Sequence, residues 1–195
     1  MKKYELVTEL SKEFFGKTLF RIRALVSFGC VGEGEIGGWV ESEGNLSHDG
    51  NAWVSDNARV YDNARVSGNG RVFGNAWVSD NARVSGNGRV FGNAWVSDNA
   101  RVSGNVRVSG NARVSDNARV CGAAHYITVG PIGSEGGTLT AFRQADNSIV
   151  VTRGCFRGTI EEFVAAVIER HGETHYAAEY GIVIKLIEAR LAEID

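Results

Sequence analysis

GNAWVSDNARVSGNGRVF, residues 74–91, returns almost unchanged in residues 92–109 as GNAWVSDNARVSGNVRVS. The shorter unit within both stretches has six residues, with the consensus V-S-(D/G)-N-A-(R/W). Across residues 50–121 a valine recurs at the same place in every unit: Val54, Val60, Val66, Val72, Val78, Val84, Val90, Val96, Val102, Val108, Val114 and Val120. A short unit repeated at a constant period without insertions is the signature of a solenoid.

Side chains within each unit alternate in direction as they do in a β-strand. The valine and the small residue two places before it point inward, and the Arg or Trp between them points outward. Two turn residues follow, and we expect the Asn to adopt the left-handed backbone conformation that a sharp corner needs. Three such strands make an eighteen-residue coil. Residues 50–121 therefore predict a left-handed parallel β-helix of four coils, each rising about 4.8 Å.

The segment before the repeat predicts a β cap. YELVTEL and TLFRIRAL are expected to form two strands joined by a turn at SKEFFGK. A capping coil should follow, because Ile36, Val40 and Leu46 approximate the hexad rhythm and an open sheet end needs cover.

The segment after the repeat predicts a small α+β domain. A hairpin is expected around Asp146-Asn147, followed by a helix whose start is marked by the capping box of Thr159 and Glu162. A second helix should run from about Thr174 to Ile194. The whole chain is thus expected to be mainly β, in three parts: a β cap at 1–49, the β-helix at 50–125 and the α+β domain at 126–195.

Composition and charge restrict the classes of function. The chain has 25 glycines and a single proline, which fits many tight turns in an ordered repeat. Residues 50–121 carry a net charge of +4 between acidic ends, which is too mild for general nucleic-acid binding. Three scattered cysteines favour reduced thiols over a disulfide framework. With neither a signal peptide nor a membrane span in the sequence, we expect a cytoplasmic protein.

The eighteen-residue coil assigns four arginines to one outward column, beside a corner of four aspartates. The arginines are Arg65, Arg83, Arg101 and Arg119, and the aspartates are Asp62, Asp80, Asp98 and Asp116. Like charges one strand apart repel, so the arginines should turn either to the aspartates or to an anionic partner. The first alternative is a solvated ion-pair ladder, and the second is an anion-binding face.

Four aromatic residues form a second candidate site on the predicted β-helix. Trp77 and Trp95 share one face, and Phe73 and Phe91 lie across the adjoining corner. A patch of this size should not remain in water. It is expected to be covered by the flanking segments or by a second subunit, and self-association as a homotrimer is the favoured interpretation. A platform on which a ligand stacks is the alternative.

Two pairs of stretches resemble known proteins. GKTLFRIRA (16–24) and GGWVESEGNLS (37–47), followed by the hexads, resemble bacterial and prophage hexapeptide-repeat proteins that are often labelled acyltransferases. YITVGPIGS (126–134) and GCFRGTIEEF (154–163) resemble a small module of phage-encoded proteins. The resemblance implies a β-helix lineage and an accessory or counter-defence role.

Side chains able to perform catalysis are sparse. Hexapeptide acyltransferases use a histidine as general base, and His125 on the last coil is the single, weak candidate for that role. His171 and His175 are four residues apart, but Gly172 between them argues against two metal ligands on one helix face, so no metal is predicted. Cys155 lies between Arg153 and Arg157, although a buried strand cysteine is the expected outcome.

Three functions are compatible with these patterns. The leading hypothesis is a non-catalytic homo-oligomeric binding protein of phage type, without a cofactor, that sequesters or blocks a host molecule. Its partner would be a host protein or a small anionic or nucleotide ligand bound by the arginine column. The alternatives are an acyltransferase that uses acetyl-coenzyme A and a structural spacer or virion component.

Overall fold

The N-terminal residues form a long antiparallel hairpin in the computed structural model, which describes residues 1–191. β1 (Tyr4–Phe14) pairs with β2 (Lys17–Ala24) at both of its ends, and the register shifts between Val7 and Ser11. The expected turn over SKEFFGK is wrong, because both strands continue through it. The reversal needs only Phe15 and Gly16, which both have positive φ.

Three parallel sheets then form a β-solenoid. Two of them are named by the residues that point outward from them, and the last is called the third face. The tryptophan face consists of β3 (Ile36–Val40), β5 (Arg59–Val60), β8 (Trp77–Val78), β11 (Trp95–Val96) and β14 (Arg113–Val114). The arginine face consists of β6 (Arg65–Val66), β9 (Arg83–Val84), β12 (Arg101–Val102) and β15 (Arg119–Val120). The third face consists of β4 (Trp53–Val54), β7 (Arg71–Val72), β10 (Arg89–Val90) and β13 (Arg107–Val108). The predicted β-helix is thus confirmed as a parallel solenoid, and its handedness stays a prediction.

The core of the solenoid is the stack of repeat valines and the small residues before them. Every repeat valine from Val54 to Val120 is at most 1 % exposed, as are the alanines that precede most of them. Backbone N–H groups donate to carbonyls of the next coil; Arg83 N, for example, donates to Ala100 O at 2.8 Å. The buried side chains and the backbone hydrogen bonds between coils stabilise the fold. The outward side chains are therefore not needed for stability and can serve in binding.

The corners differ from the expectation in one respect. Positive φ belongs to the Asp or Gly before each Asn, as at Asp80 and Gly92, and the Asn itself is not left-handed. The Asn side chains are used instead in ladders between coils, where Asn75 Nδ2 donates to Asn93 Oδ1 at 3.3 Å. Gly has no Cβ penalty at positive φ and Asp tolerates it, which frees the Asn amide for this contact.

The capping coil joins directly to the repeat. Val40 pairs with Val60, and Leu46 pairs with Val66. The partners in each pair are 20 positions apart, whereas paired valines of the repeat are 18 apart, so this coil has two more residues than the others. Because β3 is bonded to both β2 and β5, the hairpin extends the tryptophan face as one seven-stranded sheet.

The C-terminal module has a four-stranded antiparallel sheet and two helices. Its elements are β16 (Tyr126–Ile132), β17 (Gly137–Arg143), β18 (Ile149–Arg153), β19 (Phe156–Gly158), α1 (Ile160–His171) and α2 (His175–Leu191). The predicted hairpin between β17 and β18 is confirmed, with Asn147 at φ 68°. The capping box of Thr159 and Glu162 is also confirmed. The expected end of the second helix at Ile194 lies outside the described residues.

The C-terminal module closes the last coil of the solenoid. Thr140 Oγ1 accepts from Arg113 N at 3.2 Å, and Ala145 N donates to Asn117 O at 3.0 Å. Phe142 and Val150 join the solenoid core, which would otherwise open to water here. None of the helices between residues 1 and 191 is long and apolar enough to cross a membrane.

Candidate functional site

The arginine face carries its four arginines in one straight row. They are paired in register along parallel strands, in the order Arg65, Arg83, Arg101 and Arg119. All four are exposed, and the strand spacing places each about 4.8 Å from the next along the backbone. The buried valines that alternate with them fix their outward direction. The face therefore presents a row of positive charge to solvent.

The aspartate corner beside this row does not neutralise it. Asp98 N donates to Asp80 Oδ2 at 3.3 Å, and Asp116 N donates to Asp98 Oδ2 at 3.0 Å. At the ends of the corner, Asp62 pairs with Lys17 at 2.6 Å, and Asp116 pairs with Arg157. Within residues 1–191, no arginine of the row lies within 4.0 Å of an acidic side chain. The ion-pair ladder that one alternative predicted is therefore not formed among the residues that the structure describes.

His125, the weak candidate for a general base, lies at the C-terminal end of the arginine row. Its Nδ1 is 3.1 Å from Arg119 O and 3.3 Å from Cys121 Sγ. A short 3-10 helix, Ala123–His125, turns the imidazole back onto the last coil. Both contacts are local, to residues four and six positions before His125.

A second arginine column follows the third face, and the sequence interpretation did not single it out. Arg71, Arg89 and Arg107 pair in register above the buried Trp53. The eighteen-residue spacing that revealed the first row would have revealed this one as well. The third face therefore provides a natural comparison for the arginine face, with the same residue type in the same geometry.

The tip of the N-terminal hairpin covers part of the aromatic patch. The Phe14 ring meets Trp77 edge to face with centroids 5.0 Å apart, and the Arg59 guanidinium lies 4.6 Å from the Phe14 centroid. Trp95 remains 38 % exposed and meets Trp77 at 5.6 Å. A flanking segment thus folds back over Trp77, while cover by a second subunit stays a prediction.

The two phenylalanines of the patch lie across the corner from the tryptophans. Phe73 and Phe91 stack in parallel, with centroids 4.8 Å apart and an interplanar angle of 2°. The ladder of Asn75 and Asn93 separates this stack from Trp95. The patch is therefore divided into a phenylalanine stack and a tryptophan surface.

Two lysines of the hairpin are held against the solenoid. Lys3 Nζ donates to Ala52 O at 2.9 Å, and burial lowers the pKa of Lys3 to about 8. Lys12 lies 3.9 Å from the Trp39 ring. Burial, followed by the neighbouring charges of Arg59 and Arg21, lowers the pKa of Lys12 to about 8 as well. Both shifts follow mainly from the partial burial of the two ammonium groups against the solenoid.

The C-terminal module contains a cavity of about 490 Å³ between the β18–β19 turn and the helices. Cys155 lies at this cavity and is exposed, so the expectation of a buried strand cysteine is wrong; β18 ends at Arg153 and places the thiol in a turn. His171 packs against Tyr180 at 5.6 Å. Among residues 1–191, no three His, Cys, Asp or Glu side chains are grouped to hold a metal ion.

The coils can be compared with known repeat families. Overlapping segments match the family model described as YdcK beta solenoid repeat: residues 52–67, 58–74, 64–80, 82–98, 94–110, 100–114 and 106–122. These segments make up about a third of the chain and lie within the solenoid. No curated protein matches the chain. The protein is therefore a repeat protein with a β-solenoid fold, and its coils are similar to YdcK beta solenoid repeats.

Proposed function

We propose that this chain is a non-catalytic, self-associating binding protein whose arginine face docks an anionic partner. The observation that carries the proposal is the row of four exposed, unpaired arginines in register. Stacked like charges reduce stability, and the core does not need them. Their guanidinium groups can each take a carboxylate or phosphate in two parallel hydrogen bonds.

The shape of the arginine face favours an acidic protein surface as the partner. Small ligands prefer concave sites that enclose most of their surface, whereas the row lies on a flat sheet. A partner of matched charge would be attracted at long range and would bind less tightly in high salt. A small anionic or nucleotide ligand remains the second possibility within the same proposal.

The cellular role follows from the resemblance to prophage proteins. The protein would sequester or block a host molecule, acting as a homotrimer in the cytoplasm. Its three cysteines are exposed and free, which suits a reducing compartment. Native mass spectrometry would establish the number of subunits, and a monomer at micromolar concentration would contradict the self-association.

A charge-reversal pair tests the arginine face. The double variant Arg83→Glu, Arg101→Glu should bind fluorescent oligoglutamate, used as a defined acidic probe, at least about tenfold more weakly than the parent. The matched control is Arg89→Glu, Arg107→Glu, which makes the same change in net charge on the third face. Equal losses in the two variants would mean that net charge, and not the arginine face, determines binding.

A separate titration tests the non-catalytic assignment. Saturable binding of coenzyme A that disappears in His125→Ala would contradict it and would favour the acyltransferase alternative.

A further inference from the structure

A groove runs along the tryptophan face, and none of the four arginines of the arginine face lines it. Its volume is about 550 Å³, within the range of small-molecule sites. It is lined by Arg59, Asn75, Trp77, Asn93, Trp95, Asn111 and Arg113. One aromatic column and one amide ladder thus lie side by side along the solenoid axis.

Both ends of the groove are bounded by other parts of the chain. At the N-terminal end, the Phe14 ring packs against Trp77. At the C-terminal end, Arg113 Nη1 donates to Gly154 O at 3.2 Å, which brings the β18–β19 turn over the face. Phe156, the first residue of β19, and Trp95 line an adjoining cavity of about 270 Å³. The groove is therefore shaped by three elements, and its floor is the exposed Trp95.

The amide ladder offers both donors and acceptors to a ligand. Asn75 donates to Asn93 at 3.3 Å, and Asn93 donates to Asn111 at 3.1 Å. Each amide has two N–H groups and a carbonyl with two lone pairs, so Asn93, in the middle of the ladder, retains one N–H and one acceptor position beyond it. Hydroxyl groups both donate and accept, and they suit such a row.

The two arginines of the groove contact other parts of the chain, although Arg59 Nε is buried without a hydrogen-bond partner among residues 1–191. The Arg59 guanidinium lies between the rings of Phe14 and Trp77, at 4.6 and 5.1 Å from their centroids. Arg113 is bound to the Gly154 carbonyl. The rest of the groove is an indole surface beside neutral amides, and this chemistry suits an uncharged ligand that carries hydroxyl groups.

We propose that this groove binds a neutral oligosaccharide along the solenoid axis. The C–H face of a sugar ring packs on Trp95, and its hydroxyl groups bond to Asn93 and Asn111. Trp77 and Trp95 meet at an interplanar angle of 63°, so they form no parallel slot for a planar base. This site and its ligand are independent of the arginine face.

The test measures intrinsic tryptophan fluorescence and calorimetric heat of the full chain. The probes are maltohexaose, cellohexaose and hexa-N-acetylchitohexaose, each raised to about 10 mM. We expect at least one to bind saturably, and we expect Trp95→Arg to weaken that binding by at least about tenfold. Arg occupies the same column position at Arg59 and Arg113, so this variant fits the solenoid.

Two further variants separate binding from folding. Asn93→Ala should weaken the sugar by a few fold, whereas Arg89→Ala, on the third face, should leave it unchanged. The absence of binding by all three sugars would overturn the proposal. So would a Trp95→Arg variant that binds sugar normally, or one that only dissociates the oligomer, which would assign Trp95 to a contact between subunits.

Discussion

Reversal of one inner arginine of the arginine face, Arg83→Glu, should stabilise the protein at low salt. Arg83 lies between Arg65 and Arg101 on neighbouring strands, and none of the three has an acidic partner among residues 1–191. If the charges are about 5 Å apart, each pair repels by about 0.8 kcal/mol in water. Salt at about 0.1 M reduces this value to about 0.5 kcal/mol.

The reversal converts two repulsions into two attractions. At about 0.1 M salt the upper limit of the gain is therefore about 2 kcal/mol, and side-chain entropy and solvation of the exposed side chains reduce it to about 1 kcal/mol. Arg65→Glu, at the end of the row, has a single like-charged neighbour and should gain about half as much. The gain should disappear near 1 M salt, where the Debye length is about 3 Å.

Urea denaturation followed by circular dichroism, at low and high salt, measures these differences. A loss of stability in Arg83→Glu, or a change that does not depend on salt, would refute the reasoning. Either result would mean that Arg83 holds a stabilising acidic partner, as in the ion-pair ladder. A gain in stability together with loss of oligoglutamate binding would mean that the row is kept for binding at the expense of stability.

Two further predictions concern the N-terminal hairpin. Phe14→Ala should cost about 2 kcal/mol, because its ring packs on Trp77 and under Arg59. Phe15→Ala should cost less than about 0.5 kcal/mol, because Phe15 is 76 % exposed; equal costs in urea denaturation would contradict the packing of Phe14. The second prediction is that stability rises from pH 8 towards pH 10, because the folded pKa values of Lys3 and Lys12 lie near 8, below their ordinary 10.5. The unfolded chain therefore binds more protons in this window, and deprotonation removes a cost of folding. Lys3→Met should flatten this rise, and an unchanged profile would show that Lys3 is solvated.

The solenoid could be predicted from the sequence because its determinants are local and repeated. Each valine and each small residue is placed by its own hexad, so the eighteen-residue count assigns columns without knowledge of tertiary contacts. The same count placed Arg65 above its three partners correctly. The helix start at Thr159 was predictable for a similar reason, since a capping box lies within four residues.

The features that the sequence interpretation missed depend on competition between residues or on distant contacts. Asn and the Asp before it both tolerate positive φ, so either position could have been the left-handed one. Gly often replaces the Asp, as at Gly92, and this replacement is the sequence signal that identifies the left-handed position. The SKEF stretch looks like a turn because it is polar. It nevertheless forms a strand, because its backbone groups pair with β2. This pairing does not require the side chains to enter the core. The contact of Phe14 with Trp77 has no sequence signal, since it depends on the length of the hairpin.

The same repeat unit carries charge differently on two faces, and this difference supports separate roles for them. On the tryptophan face, Arg59 and Arg113 flank two tryptophans and stack on them, so no two arginines are neighbours. On the arginine face nothing interrupts the row. Alternation of this kind separates like charges, and it is missing both from the arginine face and from the third face, where Arg71, Arg89 and Arg107 also follow one another in register. The row on the arginine face is the longer of the two, and all four of its members are exposed. We therefore propose this row as the surface directed to a partner, and the charge-reversal control on the third face tests that choice.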